Sequence, residues 1–240
     1  GLNTSERNAA ICDRMAGSMT LVFIGQQYKY ELESVCKLFF HCRKIELEYE
    51  AADLSRDQLI ITRQKRGASH TWLLAAVRLD GRFIRMHRVI TNDAARSKKF
   101  CERLLCQMIY RILSEVTGIR PKWGILTGIR PVKNLHWDEE RGNPLSETDR
   151  QFREDYLVSE DKIRLCHLIY EVQKPAFALS QKNSVSLYIS IPFCPSRCSY
   201  CSFVSQSIGN KNVQKLLPGY VEHLMREIRY TSELMRTLGL

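Results

Sequence analysis

The chain of 240 residues lacks any long apolar run. None approaches the roughly 20 residues needed to cross a bilayer, so no membrane span is expected. A secretory leader pattern is missing too. Gly1 to Met19 mixes Asn, Glu, Arg and Asp with apolar residues and has no apolar central stretch. The sequence begins at Gly1, so its natural start is expected to lie upstream. Internal repeats and low-complexity tracts are absent. A disulfide framework is missing as well: the nine cysteines are an odd number, and Cys12, Cys36, Cys42, Cys101, Cys106 and Cys166 are scattered. Several of these fall inside apolar helical patterns, where a free cysteine acts as a small hydrophobe. A reducing, cytoplasmic setting follows as the expectation. Along the chain, aromatic residues do not interleave with basic ones as a base-stacking platform would require, so nucleic acid is not expected among the partners.

Other features are plentiful. Hydrophobic residues make up 44% of the chain, enough for a packed core, and the length suits one large or two small domains. The formal charge is +10. Basic residues gather at Arg63, Lys65 and Arg66, at Arg78, Arg82, Arg85 and Arg88, and between Arg120 and Lys133. Such clusters serve either as a surface for anions, a polycarboxylate among them, or simply as a solvated face.

Residues 20–24 read as a short strand, and Leu32, Val35, Cys36 and Phe39 follow at helical spacing. From Lys44 to Glu50 the pattern alternates strictly, with Ile45, Leu47 and Tyr49 against Glu46, Glu48 and Glu50, which predicts a half-buried strand. A further strand is expected at 59–62. Segments 71–79 and 82–90 flank Asp80-Gly81, a dipeptide suited to a two-residue hairpin turn. Phe100, Leu104, Leu105, Met108, Ile109, Ile112 and Val116 then form one apolar helical stripe, closed by Gly118. Together these predict a small α+β domain over 1–118, with a mainly antiparallel sheet.

Residues 119–180 read as a connection. The breakers Gly124, Gly128, Pro131, Gly142 and Pro144 predict an ordered loop or linker. A helical region over about 147–173 follows, with Ser159 capping its second piece and an end before Pro175. From Val185 the pattern becomes strand-like: Val185, Leu187, Ile189 and Ile191 on one face, Ser186, Tyr188 and Ser190 on the other. A cysteine-bearing loop comes next, then a helix over 218–238 with Val221, Leu224, Ile228 and Met235 roughly on one face. Strand, long loop, helix is one βα unit.

The loop reads Cys194-Pro-Ser-Arg-Cys198-Ser-Tyr-Cys201, a CxxxCxxC motif. A structural zinc site normally closes a tetrahedron of four Cys or His ligands, and here only His223, within the following helix pattern, could be the fourth. Three unliganded thiols brought near one another by chance are the plainest alternative. A cubane iron–sulfur cluster is the third reading, since thiolates are its natural ligands. Three thiolates would hold three irons and leave the fourth open to a small bidentate ligand, such as the amino and carboxylate groups of a methionine derivative.

The string from Tyr188 to Phe203, YISIPFCPSRCSYCSF, resembles the cluster-binding segment of the oxygen-independent coproporphyrinogen III oxidase (dehydrogenase) family of radical S-adenosylmethionine (SAM) proteins. Trp123 to Lys133, WGILTGIRPVK, resembles a segment in the extended N-terminal region of a bacterial branch of that family. The resemblance implies that Cys194, Cys198 and Cys201 bind a 4Fe–4S cluster and that SAM is the second cofactor. It implies that Tyr200 lies against the adenine of SAM with Phe203 nearby, and that Tyr188 meets the sulfonium; a tyrosine at 188 would also serve as a core aromatic with a satisfied hydroxyl. The fold it implies is an α+β N-terminal domain followed by the first βα unit of an α/β radical SAM barrel of partial TIM type, beginning in 181–240. Such a barrel needs roughly 200 residues or more, so the chain is expected to stop early in it and to be inactive by itself. A lone βα unit leaves its strand uncovered, and residues 185–240 are expected to pack poorly.

The reaction implied is the oxidative decarboxylation of coproporphyrinogen III to protoporphyrinogen IX in anaerobic heme biosynthesis. A 5′-deoxyadenosyl radical starts it, and the electron donor is unidentified. Two positions depart from the oxidase pattern, Ser190 in place of a histidine and Phe203 in place of a fourth cysteine. The Cys-x-Phe ending occurs in heme-trafficking relatives, so a heme-binding protein without oxidase activity is the alternative. A third is an RNA- or partner-binding N-terminal module attached to a radical SAM domain.

Overall fold

The apolar run MTLVFI forms β1 (Met19–Ile24), buried along nearly its whole length. It is an interior strand of the sheet, with neighbours on both sides. The computed structural model describes residues 18–40, 44–51, 53–127, 130–180, 183–196, 198 and 201–240. These fall into two compact units, 1–172 and 173–240.

In the first unit α1 (Lys29–Phe39) follows β1, then β2 (Ile45–Tyr49), β3 (Leu59–Arg66), β4 (His70–Leu79) and β5 (Arg82–Thr91). The sheet order is β2-β1-β3-β4-β5. β1 runs parallel to both β2 and β3, and β3, β4 and β5 form an antiparallel meander. The sheet is therefore mixed, where the sequence suggests a mainly antiparallel one. A helical crossover between β1 and β2 returns the chain in the same direction, and alternation within each strand carries no information about its neighbour's direction. The hairpin falls at Asp80-Gly81, with φ of 50° and 73°, the left-handed pair that a type I′ turn needs.

One face of the sheet is covered by α1 and by α2 (Lys98–Thr117). Leu21 and Phe23 of β1, Leu73 and Val77 of β4, and Leu105 and Ile109 of α2 are sealed in that core. The helix starts where Ser97 Oγ accepts from Phe100 N–H at 3.3 Å and stops at Gly118, φ 71°. On β2, Ile45 and Leu47 pack on the core while Tyr49 stacks on Phe23 at 5.3 Å between centroids, as the strict alternation predicts.

Residues 119–144 hold a helix that the sequence hides. α3 (Val132–Glu140) begins directly after Pro131, and Leu135 on it is fully buried. Read as a breaker, Pro131 is in fact a starter, because its fixed φ suits a helix entrance where no N–H partner is needed. Gly128 lies outside the described residues. α4 (Leu145–Arg150) and a wide turn (Gln151–Asp155) follow, then α5 (Glu160–Ala178). Leu126, Leu135, Phe152, Val158, Ile163, Cys166 and Tyr170 make a second small core.

The Trp123 segment is ordered by backbone bonds to the break between α4 and α5. Ile125 N–H donates to Tyr156 O at 2.8 Å, and Ser159 N–H donates to Lys122 O at 2.9 Å. Ser159 stands at the expected cap position, its carbonyl accepting from Lys162 and Ile163 N–H, but its hydroxyl bonds Lys122 O and the Asp161 carboxylate instead of a helix N–H. Gly124 sits at φ 58°, and a Cβ there would lie 2.0 Å from Tyr156 O. The two chains can touch only because it is glycine. α5 runs through Pro175 to Ala178, past the end predicted from sequence. The proline forfeits one backbone rung near the helix end, in an exposed stretch where water can take the freed carbonyl.

In the second unit residues 185–191 pair with no strand, against the expectation. β6 is only Phe193–Cys194, pairing in parallel with β7 (Gln206–Ser207). A parallel strand needs neighbours on its edges and faces, and Val185, Leu187, Ile189 and Ile191 are 43–66% exposed. A short α6 (Lys211–Gln214) leads to α7 (Leu217–Leu238), none of whose residues is buried. This uncovered state of 185–240 matches the packing expected of a lone unit.

Candidate cofactor-binding site

The three clustered cysteines sit on a loop closed at its base by β6 and β7. Cys194 pairs with Ser207, Ile208 N–H donates to Cys194 O at 2.9 Å, and Gln206 N–H donates to Pro192 O at 2.7 Å. Inside the loop, Cys201 N–H donates to Cys198 O at 3.0 Å, a tight turn that sets these two residues close along the chain. Cys201 Sγ lies 3.9 Å from Ser205 Oγ. Phe193 anchors the base by an edge-on contact with Tyr220 of α7 at 5.1 Å, and Tyr220 Oη donates to Ser190 O at 2.6 Å.

Burial divides the described cysteines into two sets. Cys36, Cys101, Cys106 and Cys166 are buried, whereas Cys194 and Cys201 are half-buried and Cys198 is exposed; all are free thiols. Desolvation, with Glu33 adding to it, pushes the Cys36 thiol up to about 12. Burial also drives Cys166 up to about 11 and Cys106 well above the ordinary thiol range. A thiol held protonated is neither a nucleophile nor a metal ligand. Cys12 and Cys42 lie outside the described residues.

Tyr188 is 82% exposed and lines an open groove of about 370 Å³ with Ser190, Tyr220, His223 and Glu227. His223, the conceivable fourth zinc ligand, stands in this groove. Phe203 is 71% exposed, and Tyr200 lies outside the described residues. Among the described residues no three of His, Cys, Asp or Glu converge as a metal site. The fit to a cluster thus rests on donor chemistry: three free, reachable thiols on one closed loop. Sequence spacing found those thiols. It did not signal Tyr220, whose hydroxyl and ring tie α7 to the loop, because that contact joins residues far apart in the chain.

No family model matches the chain, and no solved structure matches it. A partial likeness to a coproporphyrinogen-III oxidase-like protein does emerge among curated proteins. Over 99 residues the chain is 42% identical to the oxygen-independent coproporphyrinogen-III oxidase-like protein HemZ of Bacillus subtilis (strain 168), covering 40% of this chain and 20% of that protein. The chain spans about a fifth of the length of that relative in this match. No helix among the described residues is long and apolar enough to cross a membrane.

Proposed function

We propose that Cys194, Cys198 and Cys201 hold a 4Fe–4S cluster that takes SAM at its open iron, and that the protein carrying this chain acts oxidatively on a coproporphyrinogen-type tetrapyrrole. The single observation carrying this reading is the division of the cysteines: three reachable thiols share one closed loop, while the other described thiols are buried and held protonated. The partial likeness to a coproporphyrinogen-III oxidase-like protein supports the substrate class. When bound, such a cluster supplies one electron for cleaving a sulfonium carbon–sulfur bond.

The chain's own residues position and shield. The β6–β7 ladder fixes the base of the loop, and the Tyr220 hydroxyl holds the backbone at Ser190 beside it. Tyr188 offers a phenol to the groove, in the role of a SAM contact, with Tyr200 and Phe203 as its aromatic partners. Residues 181–240 are the opening of the radical SAM domain, and the aliphatic row Val185, Leu187, Ile189 and Ile191 is the face that helices of such a barrel would cover. The net charge of +10 suits a substrate with several carboxylates; the enzyme would act in the cytoplasm with a separate electron donor.

The test is anaerobic reconstitution of the intact protein, with iron and sulfide analysis and EPR of the reduced form, with and without SAM. About four irons per chain and a cubane signal that SAM perturbs are expected; Cys198→Ser abolishes both in protein that remains folded. Stoichiometric zinc, or folded protein that takes up no iron, refutes the assignment.

A further inference from the structure

Strand register, not chain order, decides which residues share a face of a sheet. On the face of β3, β4 and β5 turned away from α1 and α2, four rows cross the strands. They are Lys65–Trp72–Val89, Arg63–Leu74–His87, Ile61–Ala76–Arg85 and Leu59–Arg78–Phe83. Basic and aromatic residues that stand apart along the chain therefore interleave in space. Trp72 and Phe83 are 45% and 49% exposed, and Arg63, Lys65, Arg85 and His87 are exposed, while Leu59, Ile61 and Ala76 of the same rows are buried together with Val22.

Among the described residues no acid pairs with the cations of this surface. Among the described residues Arg63, Lys65, Arg78 and Arg85 have no carboxylate within ion-pair distance. Arg78 Nε has no hydrogen-bond partner, and its guanidinium lies 5.3 Å over the Phe83 ring. The acids of the sheet, Glu46 and Glu48, stand on β2 at the far edge, where Lys44 and Arg56 engage them. The Trp72 ring is held against Gly67, where a Cβ would come within 2.3 Å of Cζ3. With rows about 7 Å apart, Trp72 and Phe83 stand about 20 Å apart, with Arg63 and Arg85 in the rows between them and Lys65 and Arg78 in the rows of the two rings.

We propose that this face binds single-stranded nucleic acid, its bases stacking on Trp72 and Phe83 and its phosphates meeting Arg63, Lys65, Arg78 and Arg85. Exposed rings on a sheet face suit unpaired bases, whose faces are free to stack, whereas a duplex keeps its bases stacked inside. An anionic bilayer would be met by an amphipathic helix rather than by a strand face. This proposal is independent of the cysteine loop.

The test measures fluorescence anisotropy of labelled dodecamers of uridylate and of thymidylate with the 240-residue chain, across a salt series. Binding of either sugar type supports the proposal, and a preference identifies the strand. Trp72→Leu is expected to weaken binding about tenfold or more, and Trp72→Phe to restore most of it. Replacing Arg63, Lys65 and Arg85 together by Gln is expected to lower the slope of log affinity against log salt by about 2, from ~0.7 per phosphate contact. These side chains are exposed, so the circular dichroism melt should stay that of the parent. The proposal is overturned by no binding at low salt, by variants that bind like the parent, or by tighter binding to duplex or to phosphatidylserine vesicles than to the single strands.

Discussion

Gly124→Ala is the sharpest perturbation the first unit offers. The residue sits at φ 58°, which costs an alanine about 1–2 kcal/mol by itself. The new Cβ would lie 2.0 Å from Tyr156 O and 2.5 Å from Leu157 C, both backbone atoms that cannot swing aside. Relief requires moving the two chains apart, which breaks the Ile125 N–H to Tyr156 O bond at about 1–3 kcal/mol for its buried groups. The total comes to about 2–5 kcal/mol, or a fall in Tm of roughly 10 °C for a unit of this size. Gly142→Ala is the control. It has the same kind of backbone, φ 72°, but nothing lies within 4 Å of its Cβ, so only the ~1–2 kcal/mol conformational cost applies. Thermal and urea melts followed by circular dichroism measure both. If the two substitutions cost the same, the close approach is not what requires glycine at 124, and the reasoning fails.

Two further outcomes follow. Burial first, and the neighbouring Glu31 second, raise the Glu102 carboxyl from 4.5 to about 7. A raised acid binds its proton more tightly in the folded chain, so this contribution is fully present below about pH 4.5 and is lost as pH rises towards 7. Because the group is only partly buried the expected loss is discounted to about 1 kcal/mol, and Glu102→Gln should flatten that part of the stability profile; an unchanged profile refutes the shift. In timed alkylation read by peptide mass spectrometry, Cys194, Cys198 and Cys201 should be modified well before Cys36 and Cys106. Comparable rates would remove the division on which the cluster assignment rests.

The sequence by itself determined whatever depends on local spacing. Alternation marked β2 and a 3.6-residue stripe marked α2, because side-chain direction repeats with a fixed period in each element, and Asp80-Gly81 marked the hairpin that joins β4 and β5. The CxxxCxxC spacing likewise put three thiols on one loop. Tertiary structure decided the rest. The parallel pairing of β1 with β2 and β3, the helix behind Pro131 and the continuation of α5 through Pro175 each depend on what packs alongside, which no local pattern records. The same holds in reverse at 185–191, where a strand-like pattern forms no ladder because a strand is defined by its neighbours. The basic and aromatic rows of the sheet make the point most plainly. Lys65, Trp72 and Val89 are scattered in the chain, and only hydrogen-bond register between strands sets them side by side.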